Sequence, residues 1–91
     1  MCQLHKLKLD IAYCDAVLNG DKNFEIRYND RGYQKGDIIE FIAVKDGRSI
    51  THDINNRTYK ITYVINGYGL KDNWVVFGIK KTDITNTDFK E

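Results

Sequence analysis

Lys22, Glu25 and Arg27 stand within eight residues, Gly20 to Arg27, of this 91-residue chain, and their charges alternate in sign. Arg27 can offer an oxygen-bearing ligand a planar two-pronged fork, and Lys22 adds a mobile point charge. Together the two cations suit phosphate or carbonyl oxygens. Glu25 would then either accept from the donors of a base or sugar, or hold Arg27 in place. On residue types alone the cluster is also consistent with a surface ion-pair network beside a turn, worth roughly 0–1 kcal/mol per pair. If Phe24 to Tyr28 is extended, side chains alternate between its faces, so Phe24 and Ile26 are predicted to face the core and Glu25 and Arg27 the opposite side. Asp21 and Asp30 make the patch mixed in sign, which fits a specific small group better than a long phosphate backbone.

Other candidates surround this octet. Arg31, between an Asn29–Asp30 turn and Tyr33, is long enough to fold back toward Glu25. Tyr33 and Tyr28 carry rings able to stack on a base, although packing is the better expectation for Tyr28. His5 lies on the apolar side of the first predicted strand, where a lone histidine is usually a satisfied core or rim residue; it is kept as a secondary candidate. Trp74 and Tyr68 are expected at the core or rim. Cys2, His5, Cys14 and His52 lack any standard ligand spacing, so no metal site is predicted, and nothing calls for a cofactor. Neither a phosphate-binding glycine loop nor a nucleophile elbow is present.

The elements that must position these residues follow from periodicity. Gln3 to Leu9 alternates as a half-buried strand. Asp10 is an N-cap, Ile11 to Asn19 carries Ile11, Cys14, Val17 and Leu18 on one helical face, and Gly20 supplies the left-handed residue that ends it. Phe24 to Tyr28, Asp37 to Val44, Thr58 to Ile65 and Asn73 to Lys80 read as four further strands. Asp46-Gly47 marks a tight turn. The stretch 45–56 reads as a loop, in which Ile50 and Ile54 fit either a short strand or a hairpin arm. After Lys81 the chain is a polar tail, residues 82–91, with isolated Ile84 and Phe89.

The octet fits the pattern G-x-K-x-x-E-x-R, and with Asn29-Asp30-Arg31-Gly32-Tyr33, Gly36-Asp37-Ile38-Ile39 and His5-x-Leu7-Lys8 it resembles the ASCH superfamily. The run looks like a phage and bacterial branch of that group, described mainly as of unknown function. The likeness runs on through Arg57 to Val64 and Trp74 to Ile79. It implies a PUA-like fold: α+β and mostly β, a small barrel of five or six strands with one helix between the first two, over residues 1–81. Strand pattern alone would equally allow an open α+β sheet with its helix on one face. The resemblance also implies a cleft beside the strand after the helix, with Lys22, Glu25, Arg27, Arg31, His5 and Tyr33 as the residues to consider for ligand binding.

Three functions follow as expectations. The first is a module that binds RNA or a nucleotide. The second is a small amidohydrolase acting on a modified nucleoside: some ASCH relatives use a lysine at the position of Lys22 and a threonine at that of Glu25. The glutamate here removes the implied hydroxyl nucleophile, leaving Lys22 and Glu25 as the catalytic pair if there is one. The third is a scaffold for a protein partner. Fourteen basic and thirteen acidic residues give a net charge of +1, which excludes a protein that coats nucleic acid by bulk electrostatics. Hydrophobic residues at 42% and charged ones at 30% exclude a disordered chain, and no apolar run reaches membrane length. Two well-separated cysteines and no apolar leader favour free thiols and a cytoplasmic setting.

Overall fold

The computed structural model describes residues 3–83. Six strands form one curled, half-barrel sheet: β1 (Leu4–Asp10), β2 (Phe24–Tyr28), β3 (Ile38–Lys45), β4 (Arg48–Ser49), β5 (Thr58–Ile65) and β6 (Trp74–Thr82). The helix α1 (Ile11–Leu18) lies between β1 and β2 in the chain. The strand order is β1-β3-β5-β6-β2, with β4 paired to β3. β1 runs parallel to β3 and every other pairing is antiparallel. The expected mostly-β fold with its helix between the first two strands is therefore the observed one. Among the described residues no helix is long and apolar enough to cross a membrane.

β1 buries His5, Leu7 and Leu9 and exposes Lys6 and Lys8, as its alternation predicts. The Asp10 side chain caps α1 by accepting from the Ala12 N–H at 2.9 Å. Cys14 and Val17 enter the core, and Ile11 and Leu18 pack against it. At the other end Asn19, Gly20 and Lys22 donate their N–H groups to the carbonyls of Asp15, Val17 and Ala16. Gly20 has φ +84°, a conformation that costs a side-chain-bearing residue more than glycine, so the chain can reverse into β2 here.

The stretch expected as a loop at 45–56 is largely built. Asp46 and Gly47, both at positive φ, form the two-residue turn of a tight β3–β4 hairpin. A single 3-10 turn, Asp53–Asn56, then plugs Ile54 completely into the core. The Asn55 side chain ties this plug down, its oxygen accepting from Ala43 N–H at 2.8 Å and its nitrogen donating to Ile50 O at 2.9 Å. Burying an isoleucine contributes about 1.5–3 kcal/mol, which decides the conformation against a free arm.

Two strands depart from simple alternation. In β5 the register with β6 slips between Ile61 and Tyr63, so Thr62 is an extra residue and Val64, rather than Tyr63, turns inward. Gly78 permits this bulge, because a Cβ there would stand 2.5 Å from Thr62 Oγ1. In β2 the predicted faces are reversed: Glu25 is buried, while Phe24, Ile26 and Tyr28 are exposed. The tail expectation lies outside the described residues from position 84 onward.

Candidate functional site

β1 and β2 are the two ends of the strand order, and a cleft of about 740 Å³ opens between them. Its walls are Lys8 to Asp10 of β1, Tyr13 and Ala16 of α1, Asp21 and Lys22 of the following turn, Phe24 to Tyr28 of β2, and Trp74. The half-barrel thus leaves its seam open, and the seam holds the charged octet.

Glu25 is the organising group. It is 4% exposed, and both its oxygens are occupied: Oε2 by Lys22 Nζ and Oε1 by Arg27 Nη2 at 2.9 Å. This explains the reversed face of β2. A buried carboxylate is costly unless paired and hydrogen-bonded, and two cations from the same segment supply both conditions. Of the two roles open to Glu25, the geometry gives it that of holding the cations. Lys22 Nζ also donates to Phe24 O at 2.8 Å and sits 5.6 Å and 5.1 Å from the ring centroids of Tyr13 and Phe24. Arg27 Nη2 donates as well to Lys8 O at 2.8 Å, so one guanidinium joins the two edge strands. Among the described residues Nε and Nη1 of Arg27 have no partner, and one Nζ hydrogen of Lys22 is likewise unused.

Aromatic side chains complete the walls. Tyr13, Phe24 and Tyr28 are about half exposed, and Trp74 packs edge-on against Tyr28 at 6.1 Å. Tyr28, expected to pack, stands on the open face instead. Sequence reasoning missed Tyr13 and Lys8. A tyrosine one turn before Val17, at the edge of the buried helix face, was the available signal for the first; Lys8 had none beyond its place on the polar side of β1.

The other three candidates lie elsewhere. His5 is buried, its Nε2 donating to Asp37 Oδ2 at 2.8 Å. Asp37 also accepts from Gln3 N–H at 3.0 Å and Gln34 N–H at 3.1 Å, so the pair fastens the β2–β3 connection to the start of β1. Tyr33 is 5% exposed and wedged between His5 and Phe77, with ring centroids 4.9 and 4.8 Å away, which makes it core and not a stacking platform. Burial pushes its hydroxyl above the usual ionisation range; the charges of Arg27 and Arg31 pull it down and those of Asp30 and Glu25 push it up. Arg31 does not fold back to Glu25. Asn29 Oδ1 accepts from Tyr33 N–H at 3.0 Å, and the resulting turn carries Arg31 out to a half-exposed position, 3.9 Å from Asp30.

His52 caps the 3-10 turn through Nδ1 and meets Asp15 through Nε2 at 2.9 Å. Cys14 directs its thiol at the carbonyls of Leu9 and Asp10, and burial, then the charges of Asp15, Asp10 and Glu25, raise its pKa. Among the described residues no three His, Cys, Asp or Glu side chains stand together as a metal site.

Residues 4–79 match the family described as a domain of unknown function, DUF3850. The chain belongs to this family. The match spans the helix and every strand but the last three residues of β6, so the Lys22–Glu25–Arg27 cluster and its cleft lie inside the DUF3850 domain. The domain is also similar to an uncharacterised 12.9 kDa protein of the GpA 3′ region in Escherichia phage P2, 44% identical over 39 residues. That alignment takes in 43% of this chain and 36% of the phage protein, so the likeness spans about a third of the relative's length.

Proposed function

We propose that this DUF3850 domain is an ASCH-like, PUA-like module that binds single-stranded RNA or a nucleotide in the seam between β1 and β2. The carrying observation is the meeting of four aromatic rings, Tyr13, Phe24, Tyr28 and Trp74, with the free donors of Lys22 and Arg27 in one cleft. Rings give bases a face to stack on, and base–aromatic stacking is worth about 1–3 kcal/mol per base. The pre-held cations supply donors for a phosphate or carbonyl oxygen without first having to be ordered. Three cationic side chains (Lys8, Lys22, Arg27) and three carboxylates (Asp10, Asp21, Glu25) line the cleft, so it is balanced in charge and binds with a shallow salt dependence.

The geometry brings the Lys22–Glu25 pair of the hydrolase alternative into contact, but both Glu25 oxygens are taken up by Lys22 and Arg27, and among the described residues no serine, threonine or cysteine lines the cleft as a nucleophile. One observation does favour the protein-scaffold reading. On the outer face of the sheet, Ile26, Val76 and Ile65 are cross-strand partners in a row, flanked by Phe24, Tyr28 and Trp74, and all are at least partly exposed. A contiguous apolar surface of this kind is a place for a partner to dock.

Titrating fluorescently labelled single-stranded RNA into wild type and the Lys22→Ala and Arg27→Ala variants at two salt concentrations separates the readings. The proposal expects saturable binding that weakens by about one to two decades in each variant, as loss of a charge-assisted contact implies. Absent binding by wild type, or unchanged affinity in both variants, discards the RNA reading in favour of the scaffold.

A further inference from the structure

The bulge in β5 decides where two large apolar side chains go. In an unbroken strand Ile61, Tyr63 and Ile65 would share the inner face. With Thr62 as the extra residue, Ile61 stays in the core, Val64 turns inward, and Tyr63 and Ile65 turn out. There they meet the apolar residues that β2 turns away from the core. The registers lay out three rungs on the outer face of β5, β6 and β2: Tyr63–Gly78–Phe24, then Ile65–Val76–Ile26, then Trp74–Tyr28. None of these residues carries a charge, and the middle rung is wholly aliphatic.

The extent of this face sets it apart from scattered exposed apolar residues. Tyr63 is 65% exposed, Ile26 51%, Tyr28 50%, Phe24 42% and Ile65 40%. At about 200 Å² for a whole side chain of this size, these five leave about 500 Å² in water. Two copies covering it against each other remove about 1,000 Å², the area at which a specific interface begins. The face also fits itself. Lys60 and Lys80, cross-strand partners and both exposed, close it beyond Tyr63. At the other end lies a hollow of about 280 Å³ between Ile26, Trp74 and the turn Gly69-Leu70-Lys71. A two-fold axis lying in the interface and crossing the strands along the middle rung sets Ile65, Val76 and Ile26 against their own copies. It carries the Phe24 and Tyr63 end of each face over the hollow of the other. It also sends the two lysine pairs to opposite ends, each toward the other copy's Lys71-Asp72 turn, whose charges cancel.

We infer that a second copy of this chain covers this face, giving an isologous dimer packed sheet on sheet. The aliphatic middle rung favours a protein surface over nucleic acid, because a base stacks on rings and not on isoleucine and valine. Such a dimer goes beyond the nucleotide reading and does not depend on it. Phe24, Ile26, Tyr28 and Trp74 also line the seam, so a ligand there and a second copy compete for β2.

The test is sedimentation equilibrium of the RNA-free protein over about 1 µM to 1 mM. The mass is expected to rise from the 10.6 kDa of one chain to twice that and stop, with a Kd of about 1–100 µM for an interface of this size. Ile65→Lys and Tyr63→Lys place a charge on the face without touching the core. Each is expected to weaken pairing at least tenfold while circular dichroism shows the fold retained. One chain at every concentration, growth past two chains, or a dimer unmoved in both folded variants overturns the inference. Neither residue lines the seam, so RNA titrated into a monomeric variant reports on the nucleotide reading alone, and the two fail separately.

Discussion

Glu25 and Asp37 are both removed from water, at 4% and 2% exposure, but they are satisfied by different kinds of partner. Asp37 accepts from two backbone N–H groups and a buried histidine, partners that cannot leave without undoing the connection between β2 and β3. Glu25 is held by two side-chain cations, each about a fifth exposed and each with donors still free toward the cleft. A carboxylate satisfied from the backbone fastens a fold. One satisfied by side-chain cations holds them in place with donors to spare, and this difference separates the structural cluster from the candidate site.

Asp37→Ala tests the first half of the comparison. It leaves the N–H groups of Gln3 and Gln34 and the buried His5 without their acceptor, and is expected to cost about 3–5 kcal/mol, while the molecules that remain folded keep their RNA affinity. Denaturant unfolding paired with RNA titration checks both parts; loss of binding by folded protein would place Asp37 in the site. Glu25→Gln keeps the shape but removes the charge that the cations share. We expect a loss of about 3 kcal/mol in the same unfolding assay together with at least a tenfold loss of RNA affinity. Arg27→Ala is expected to lower stability by only about 1–2 kcal/mol, or roughly 4–8 °C in Tm per kcal/mol, because Lys22 still meets Glu25, and to act mainly on binding. If the two carboxylate variants behave alike, the distinction drawn here is wrong.

Smaller effects sharpen the account. Tyr59→Phe removes a buried hydroxyl that has no hydrogen-bond partner among the described residues and is expected to stabilise the protein by about 1 kcal/mol, seen as a Tm higher by roughly 4 °C. A lower Tm would mean that the hydroxyl has a partner in solution. Cys14, Tyr33 and Tyr59 all have pKa values raised by burial above ordinary values of 9.0, 10.0 and 10.0. In the unfolded chain they lose protons at those values while the folded chain retains them, so their contribution is intact below about pH 9 and falls away as pH rises further. Unfolding curves from pH 7 to 11 should show a plateau and then a decline, with Cys14→Ala removing the part that begins nearest pH 9.

How far the sequence foretold this can be argued residue by residue. Alternation in β1 and the helical face of α1 were legible because nothing there competes with hydrophobic burial. β2 misled because its apolar residues line a ligand-sized cleft while a glutamate goes inward; the pattern rule prices an isolated charge, and here the charge arrives with two partners. The bulge at Thr62 was invisible, since one inserted residue changes the phase of β5 without changing its composition. Ile54 was undecidable for a related reason: a single apolar residue in a polar stretch becomes core only through the side-chain bonds of Asn55 and His52. Within the octet, the gathering of Lys22, Glu25 and Arg27 was readable from spacing. The burial of His5 was readable from its place on the apolar side of β1, whereas the positions of Tyr33 and Arg31 were not, because they depend on which side of the sheet the Asn29 turn sends the chain.

The chain contains one tryptophan, Trp74, and it lines the cleft. Its emission is therefore a built-in reporter of anything that stacks there, free of any label. Titrating the wild-type protein with unlabelled single-stranded RNA and nucleoside monophosphates should quench or shift that emission saturably, and Arg27→Ala should displace the midpoint by about one to two decades. Emission that stays unchanged through millimolar ligand, with the protein folded throughout, would contradict the claim that this seam is a nucleic-acid or nucleotide site.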